Sequence, residues 1–304
     1  MKLTRLRRRQ GGIIDRRGQG GVFAGGPRAR GMSMPVPAGG IGIGTIVVIL
    51  ILVFLVPRLL GSSGGSAIPD PGAVNGFPDV QGGGGSQVDP TDPMGNFVDA
   101  VGDDVNITWQ EVFRGANRRY EPADIVLYRG STRTGCGIGD ASTGPFYCPS
   151  DEHVYLDTGF FDELQNRFHA AGDFAEAYVI AHEIGHHVQN LLGISDEVDQ
   201  ATRSDPGSAN ELSIRLELQA DCLAGVWGHS ANERGVLEQG DLQEAIGAAQ
   251  AVGDDRIQES TTGRIDRESW THGSAQQRSH WLELGFDSGN MQACDTFSVP
   301  FDQL

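Results

Sequence analysis

Residues 173–193 read DFAEAYVIAHEIGHHVQNLLG. Apolar side chains fill most of the run, no proline interrupts it, and Gly193 offers a natural stop, so a helix is expected across it. Asp173 is placed to cap that helix, and Glu176 three residues on completes a capping-box pattern. Within it, His182 and His186 are four apart, which puts both rings on one helical face, where they can reach one ion. Neutral imidazole suits zinc. Glu183, beside the first histidine, would point toward an open coordination position and take a proton from water, whose pKa zinc lowers from about 15.7 toward about 7. Gly185 has no side chain, so another element can pack close to the ion. The plain alternative is a pair of surface or capping histidines, and the mid-helix position in an apolar stretch argues against it.

A catalytic zinc needs a third protein ligand. Thirty-five residues beyond His182 comes Glu217-Leu218-Gln219-Ala220-Asp221, within a second expected helix over residues 208–229. Glu217 and Asp221 share a face at this spacing. Glu217 can bind the metal, and Asp221 can accept the distal N–H of a ligand histidine and hold its tautomer. Both acids could instead be solvated groups on a charged helix, and Glu211 is a rival ligand.

Outward from these helices, short helices are expected over 96–101 and 108–116, and an amphipathic one over 159–170. Two more are expected over 241–252 and 274–284. Ile125 to Tyr128, Phe146-Tyr147 and Val154 to Leu156 read as strands. The expectation is an α+β domain, mainly helical with a small β-sheet, spanning residues 93–304. Residues 61–92 are rich in Gly, Ser, Pro and Asp and read as a flexible linker.

Charge is uneven. Residues 1–40 carry nine basic side chains and one acid, whereas the chain as a whole has net charge −17. The acidic body would repel nucleic acid, so no nucleic-acid partner is expected. The run IGIGTIVVILILVFLV at 41–56 has no charge and is closed by Pro57-Arg58. Extended to 41–60, it reads as one transmembrane helix in the lipid bilayer, with 1–40 as a basic cytoplasmic tail and the domain outside. A cleaved signal peptide is the alternative. Cys136, Cys148, Cys222 and Cys294 all lie beyond this run, and an even number in an exported domain suggests disulfides. Cys136–Cys148 is the natural local pair, which leaves Cys222 with Cys294; the alternative is free cysteines.

HEIGHHVQNLLG, LELQADCLAGVW, VGDDR, THGSAQQR, FDSGNMQACDTF and GPFYCPSDEHVYLD together resemble the neutral zinc metallopeptidase family of bacterial membrane-anchored proteins. The resemblance covers essentially everything after residue 93. The pairing of HExxH with a later ExxAD is also similar to the gluzincin class, including membrane endopeptidases related to the CAAX-processing protease. It implies a zincin-like domain with one Zn2+ held by His182, His186 and Glu217, and Glu183 as general base on a peptide or protein substrate. Those endopeptidases carry a downstream Thr-His-Pro segment with a following arginine. Thr271-His272-Gly273 with Arg278 is similar except that Gly replaces Pro. By that likeness His272 would donate a hydrogen bond to the transition state, while Arg278 would either orient Glu217 or pair with another acid. The rival reading is a non-catalytic, zinc-stabilised extracytoplasmic scaffold, against which an intact Glu183 argues.

Overall fold

The computed structural model describes residues 1–8, 12–18, 89, 91–168 and 170–304. The β-branched run near residue 125 forms the centre of a four-stranded sheet. Its strands are β1 (Ile13–Asp15), β2 (Asp124–Tyr128), β5 (Phe146–Cys148) and β6 (His153–Asp157), in the order β1-β2-β6-β5. β1 and β6 run parallel to β2, and β5 is antiparallel to β6. Strand alternation divides β2 cleanly. Ile125 and Leu127 face the main helical core, and Val126 and Tyr128 face a small second cluster with Cys148 and Tyr155. β3 (Ser131–Thr134) and β4 (Gly137–Asp140) form a separate antiparallel hairpin.

The helices are α1 (Pro93–Gly115), α2 (Thr158–Asn166), α3 (Asp173–Leu192), α4 (Ile194–Ser204), α5 (Ala209–Glu233), α6 (Asp241–Ala251), α7 (Asp254–Thr262) and α8 (Ala275–Ser288). α3 is buried along most of its length, as expected of a helix that is apolar nearly all round. α1, α5 and α6 pack around it, and Phe174 of α3 stacks on Trp227 of α5 with ring centroids 5.5 Å apart. α5 and α8 meet backbone to backbone: a Cβ on Gly285 would lie 1.9 Å from the Cys222 carbonyl oxygen. The Cys222–Cys294 disulfide ties α5 to the segment after α8, and Cys136–Cys148 ties the hairpin to β5, both as paired in the sequence reading.

Several expectations are corrected. The two short helices over 96–116 are one helix, α1. Its polar interruption at Asp103-Asp104 is buried, with Asp104 fully enclosed and ion-paired to Arg7 and Arg234. Asp173 is the first residue of α3 and not its cap. The N-cap is Gly172, and the Glu244 carboxylate of α6 accepts from the Phe174 amide at 3.1 Å instead. The β3–β4 hairpin, α4 and α7 were not expected: the hairpin and α7 are short and polar, and the helical period of Ile194, Val198 and Ala201 in α4 is set among charged residues.

The largest departure concerns the N-terminus. The basic tail was expected to stand apart from the domain, yet residues 1–8 and 12–18 lie against it. Leu6 is buried in the core cluster, Arg8 pairs with Asp99 at 2.8 Å, and β1 completes the sheet. No helix among the described residues is long and apolar enough to cross a membrane. The expected span at 41–60 and nearly all of the 61–92 linker lie outside the described residues.

Candidate metal centre

α3 and α5 cross with the histidine face of one against the Glu217 face of the other. Gly185 sets how near they come: a Cβ there would lie 3.1 Å from the Ala220 carbonyl oxygen and 3.3 Å from Ala220 Cα. The crossing brings ligand atoms of His182, His186 and Glu217 within 4.8 Å of one another. His182 Nε2 is 3.2 Å from His186 Nε2 and 3.2 Å from Glu217 Oε2, and His186 Nε2 is 3.6 Å from Glu217 Oε1. The opposite ring nitrogens are engaged elsewhere: His182 Nδ1 with Asp221 at 2.8 Å and His186 Nδ1 with Gln189 Oε1 at 2.9 Å. Two Nε2 atoms and a carboxylate converging from a buried wall form a donor set of the His2Glu type that suits zinc.

The electrostatics fit a cation. Asp221 is fully enclosed. Burial alone would raise its pKa, but Arg278 and His182 bring it below the usual carboxylate range. Burial would lower the His182 pKa, but Asp221 and Glu217 push it up to about 10. Glu217 is likewise held well below its ordinary value: burial opposes this, but His186, His272 and His182 outweigh it. Arg278 balances Asp221, and the partly buried Glu217 carboxylate calls for positive charge where the Nε2 atoms meet. A proton on His182 can supply it, and a divalent ion would displace that proton, which is the usual coupling of metal binding to proton release.

Glu183 is buried, and that burial raises its pKa against the pull of His182 and His186. It lies beside the first candidate ligand on the helix.

Arg278 pairs with Asp221, not with Glu217: Nε and Nη2 lie 2.8 and 2.9 Å from the two carboxylate oxygens. The Tyr178 hydroxyl joins this network, 2.5 Å from Asp221 Oδ1 and 3.1 Å from Arg278 Nη2. The sequence reading gave Tyr178 no role beyond its place in the helix. Its place one turn before His182, on the same face, is the signal that could have found it.

His272 stands on the loop between α7 and α8. Asp254 holds the loop by accepting from the amides of Thr271, His272 and Gly273, and its Oδ1 lies 3.2 Å from His272 Nδ1. The VGDDR stretch is therefore the brace of the His272 loop. Glu217 and Asp254 raise the His272 pKa against burial, so the ring lies within electrostatic reach of the centre. At Gly273 the loop packs on Leu218 and Ile214 of α5.

Glu211, the rival ligand, pairs instead with Arg215 at 2.8 Å and takes no part in the cluster. A second group of acids, Asp173, Asp241 and Glu244, gathers at the start of α3. The Met1 amino group sits against it, 2.7 Å from Asp173 and 3.4 Å from Asp241, which supplies the balancing charge.

The family described as "Putative neutral zinc metallopeptidase" matches residues 1–297. YpfJ of Escherichia coli K12, an uncharacterized protein, is 50% identical over 207 residues, covering 68% of this chain and 72% of YpfJ. Rv2575 of Mycobacterium tuberculosis, also uncharacterized, is 46% identical over 213 residues, covering 66% of this chain and 70% of Rv2575. No solved structure matches the chain, so the zincin-like label rests on the sequence resemblance.

Proposed function

We propose that this chain, which belongs to the neutral zinc metallopeptidase family, hydrolyses peptide bonds at one zinc ion held by His182, His186 and Glu217. The observation that carries the reading is the convergence of those three ligand atoms within 4.8 Å. Zinc, when bound, supplies a Lewis acid that acidifies water and polarises a carbonyl. Glu183 takes the proton of the attacking water and returns it to the leaving nitrogen. A carboxyl whose pKa is raised by burial is suited to hold that proton between the two steps. Asp221 keeps the proton of His182 on Nδ1, and Arg278 and Tyr178 keep Asp221 in place. His272 donates its Nδ1–H to Asp254, and as the imidazolium that Glu217 and Asp254 favour it can also donate from Nε2 to the substrate carbonyl oxygen. The substrate is a peptide or protein.

A zinc-stabilised scaffold would not need Glu183. Burying a carboxyl costs free energy, and a general base at the metal gives that cost a purpose. Glu183→Gln should keep one zinc per chain and lose peptide hydrolysis by at least about 100-fold, the low end of general-base contributions. Loss of zinc in that variant would make Glu183 a ligand and end this assignment.

We further propose membrane attachment through residues 41–60, supported by the uncharged apolar run. The charge pattern favours a cytoplasmic N-terminus with the domain outside. The contacts of residues 1–8 and 12–18 with the domain argue instead that both lie on one side of the membrane.

A further inference from the structure

Two glutamines stand behind the metal centre, and the catalytic reading uses neither. Gln189 is fully buried on α3, one turn beyond His186, and Gln219 is nearly so on α5. Gln189 Oε1 lies 2.9 Å from His186 Nδ1. Gln189 Nε2 lies 2.8 Å from the Leu216 carbonyl oxygen and 3.0 Å from Gln219 Oε1. Gln219 Nε2 lies 2.9 Å from the Cys294 carbonyl oxygen.

The direction of every bond in this chain follows from its two backbone ends. A backbone carbonyl only accepts. Gln219 must therefore turn its NH2 to Cys294, which leaves its oxygen for Gln189. Gln189 must turn its NH2 to Leu216 and to that oxygen, which leaves its own oxygen for His186. His186 Nδ1 must then be the donor, and His186 Nε2 is left with its lone pair toward His182 and Glu217. We propose that Gln189 is a positioning residue that fixes the Nδ1–H tautomer of His186, and that Gln219 and the Leu216 carbonyl keep Gln189 from turning over.

The second candidate ligand needs this device more than the first. His182 faces a carboxylate, which accepts whichever way it turns. An amide can present either end. A reversed Gln189 would offer NH2 to Nδ1 and drive the proton onto Nε2, where the metal must bind. Leu216 blocks that reversal, because the reversed amide would set oxygen against oxygen. A carboxylate at position 189 would also hold the tautomer, but it would face the Leu216 carbonyl and Gln219 Oε1 without a donor. Leu216 directly precedes Glu217, so the same amide ties α3 to α5 where the third candidate ligand departs. The far end is covalently held, since Cys294 is bonded to Cys222 of α5.

The proposal rests on reading His186 as a metal ligand, but the tautomer is measurable without metal. Nitrogen-15 NMR of histidine-labelled, metal-free full-length protein, at a pH where His186 is neutral, should show His186 as the Nδ1–H tautomer. Gln189→Met should move His186 toward Nε2–H, Gln189→Glu should keep Nδ1–H, and His182 should be unchanged in both. Zinc affinity by chelator competition should fall about 10–100-fold in Gln189→Met, the usual cost of losing a partner of a ligand histidine. Wild-type His186 found as Nε2–H, or an unmoved tautomer in Gln189→Met, would overturn the proposal. A wild-type protein with the expected tautomer but no zinc would sink the metallopeptidase reading and leave the glutamine relay standing.

Discussion

Asp104 is the side chain on which the basic arm and the domain converge. It is fully enclosed, yet it meets Arg7 at 3.1 Å, Arg234 at 2.7 Å and the Trp227 indole N–H at 3.0 Å. Burial would raise its pKa, but Arg234, the Arg7 amide and Trp227 together bring it below the usual range. A carboxylate with a lowered folded pKa contributes stability that is fully present above its unfolded value, near about 4. That contribution is lost as pH falls through the folded pKa. Asp104→Asn should therefore destabilise the metal-free protein at pH 7. Breaking a buried pair costs about 3–5 kcal/mol. Both arginine side chains are 24% exposed and partly solvated, so about 2–3 kcal/mol is expected here. Urea unfolding from pH 7 to pH 3 should show the wild-type advantage shrinking below about pH 4. A pH-independent gap would mean the carboxylate charge contributes nothing.

At the scale of elements, the centre depends on how closely α3 and α5 approach. Gly185→Ala opposes two effects. Alanine in a helix interior is favoured over glycine by up to about 1 kcal/mol. The new methyl would meet Ala220 backbone atoms at 3.1 and 3.3 Å, and overpacking of that kind typically costs about 1–3 kcal/mol. Backbone on both helices cannot rotate aside as a side chain can, so the second effect should win by up to about 2 kcal/mol. Glu217 lies three residues before Ala220 on α5, so the same displacement should open the donor triangle and weaken zinc binding. Urea unfolding and chelator competition on one preparation measure both consequences. A variant more stable than wild type with unchanged zinc affinity would show that α5 yields without cost.

For the whole molecule, the arm bears on the proposed membrane attachment, because it decides which side of a bilayer each part would occupy. Residues 1–8 and 12–18 supply a strand, a buried leucine and a cation for a buried acid. One crossing at 41–60 would keep those contacts from forming. Two disulfides favour an oxidising compartment for the domain. An epitope after residue 18 and another at residue 304 of the full chain, probed with an impermeant protease on intact and lysed cells, should show the same protection. Opposite protection would restore the orientation expected from charge and remove the arm from the domain.

Much of the centre was legible in the residues themselves. His182, Glu183 and His186 follow from one helical spacing, and Glu217 and Asp221 from a second, because periodicity fixes which side chains share a face. The pairing of the cysteines was also legible, because local spacing leaves few choices. Other features have no local signal. Whether Arg278 meets Glu217 or Asp221, and that Tyr178 and Gln189 stand behind the histidines, depends on how α3, α5 and α8 cross. The single long α1 was hidden, because polar residues at 103 and 104 look like a break until Arg7 and Arg234 arrive from distant parts of the chain. The contacts of the arm were hidden for the same reason: its arginines resemble a solvated tail, and only the tertiary structure supplies the buried acid that one of them pairs with. Covalent neighbours and helical period set the donors; which buried partner satisfies each charge was decided by packing between segments far apart in sequence.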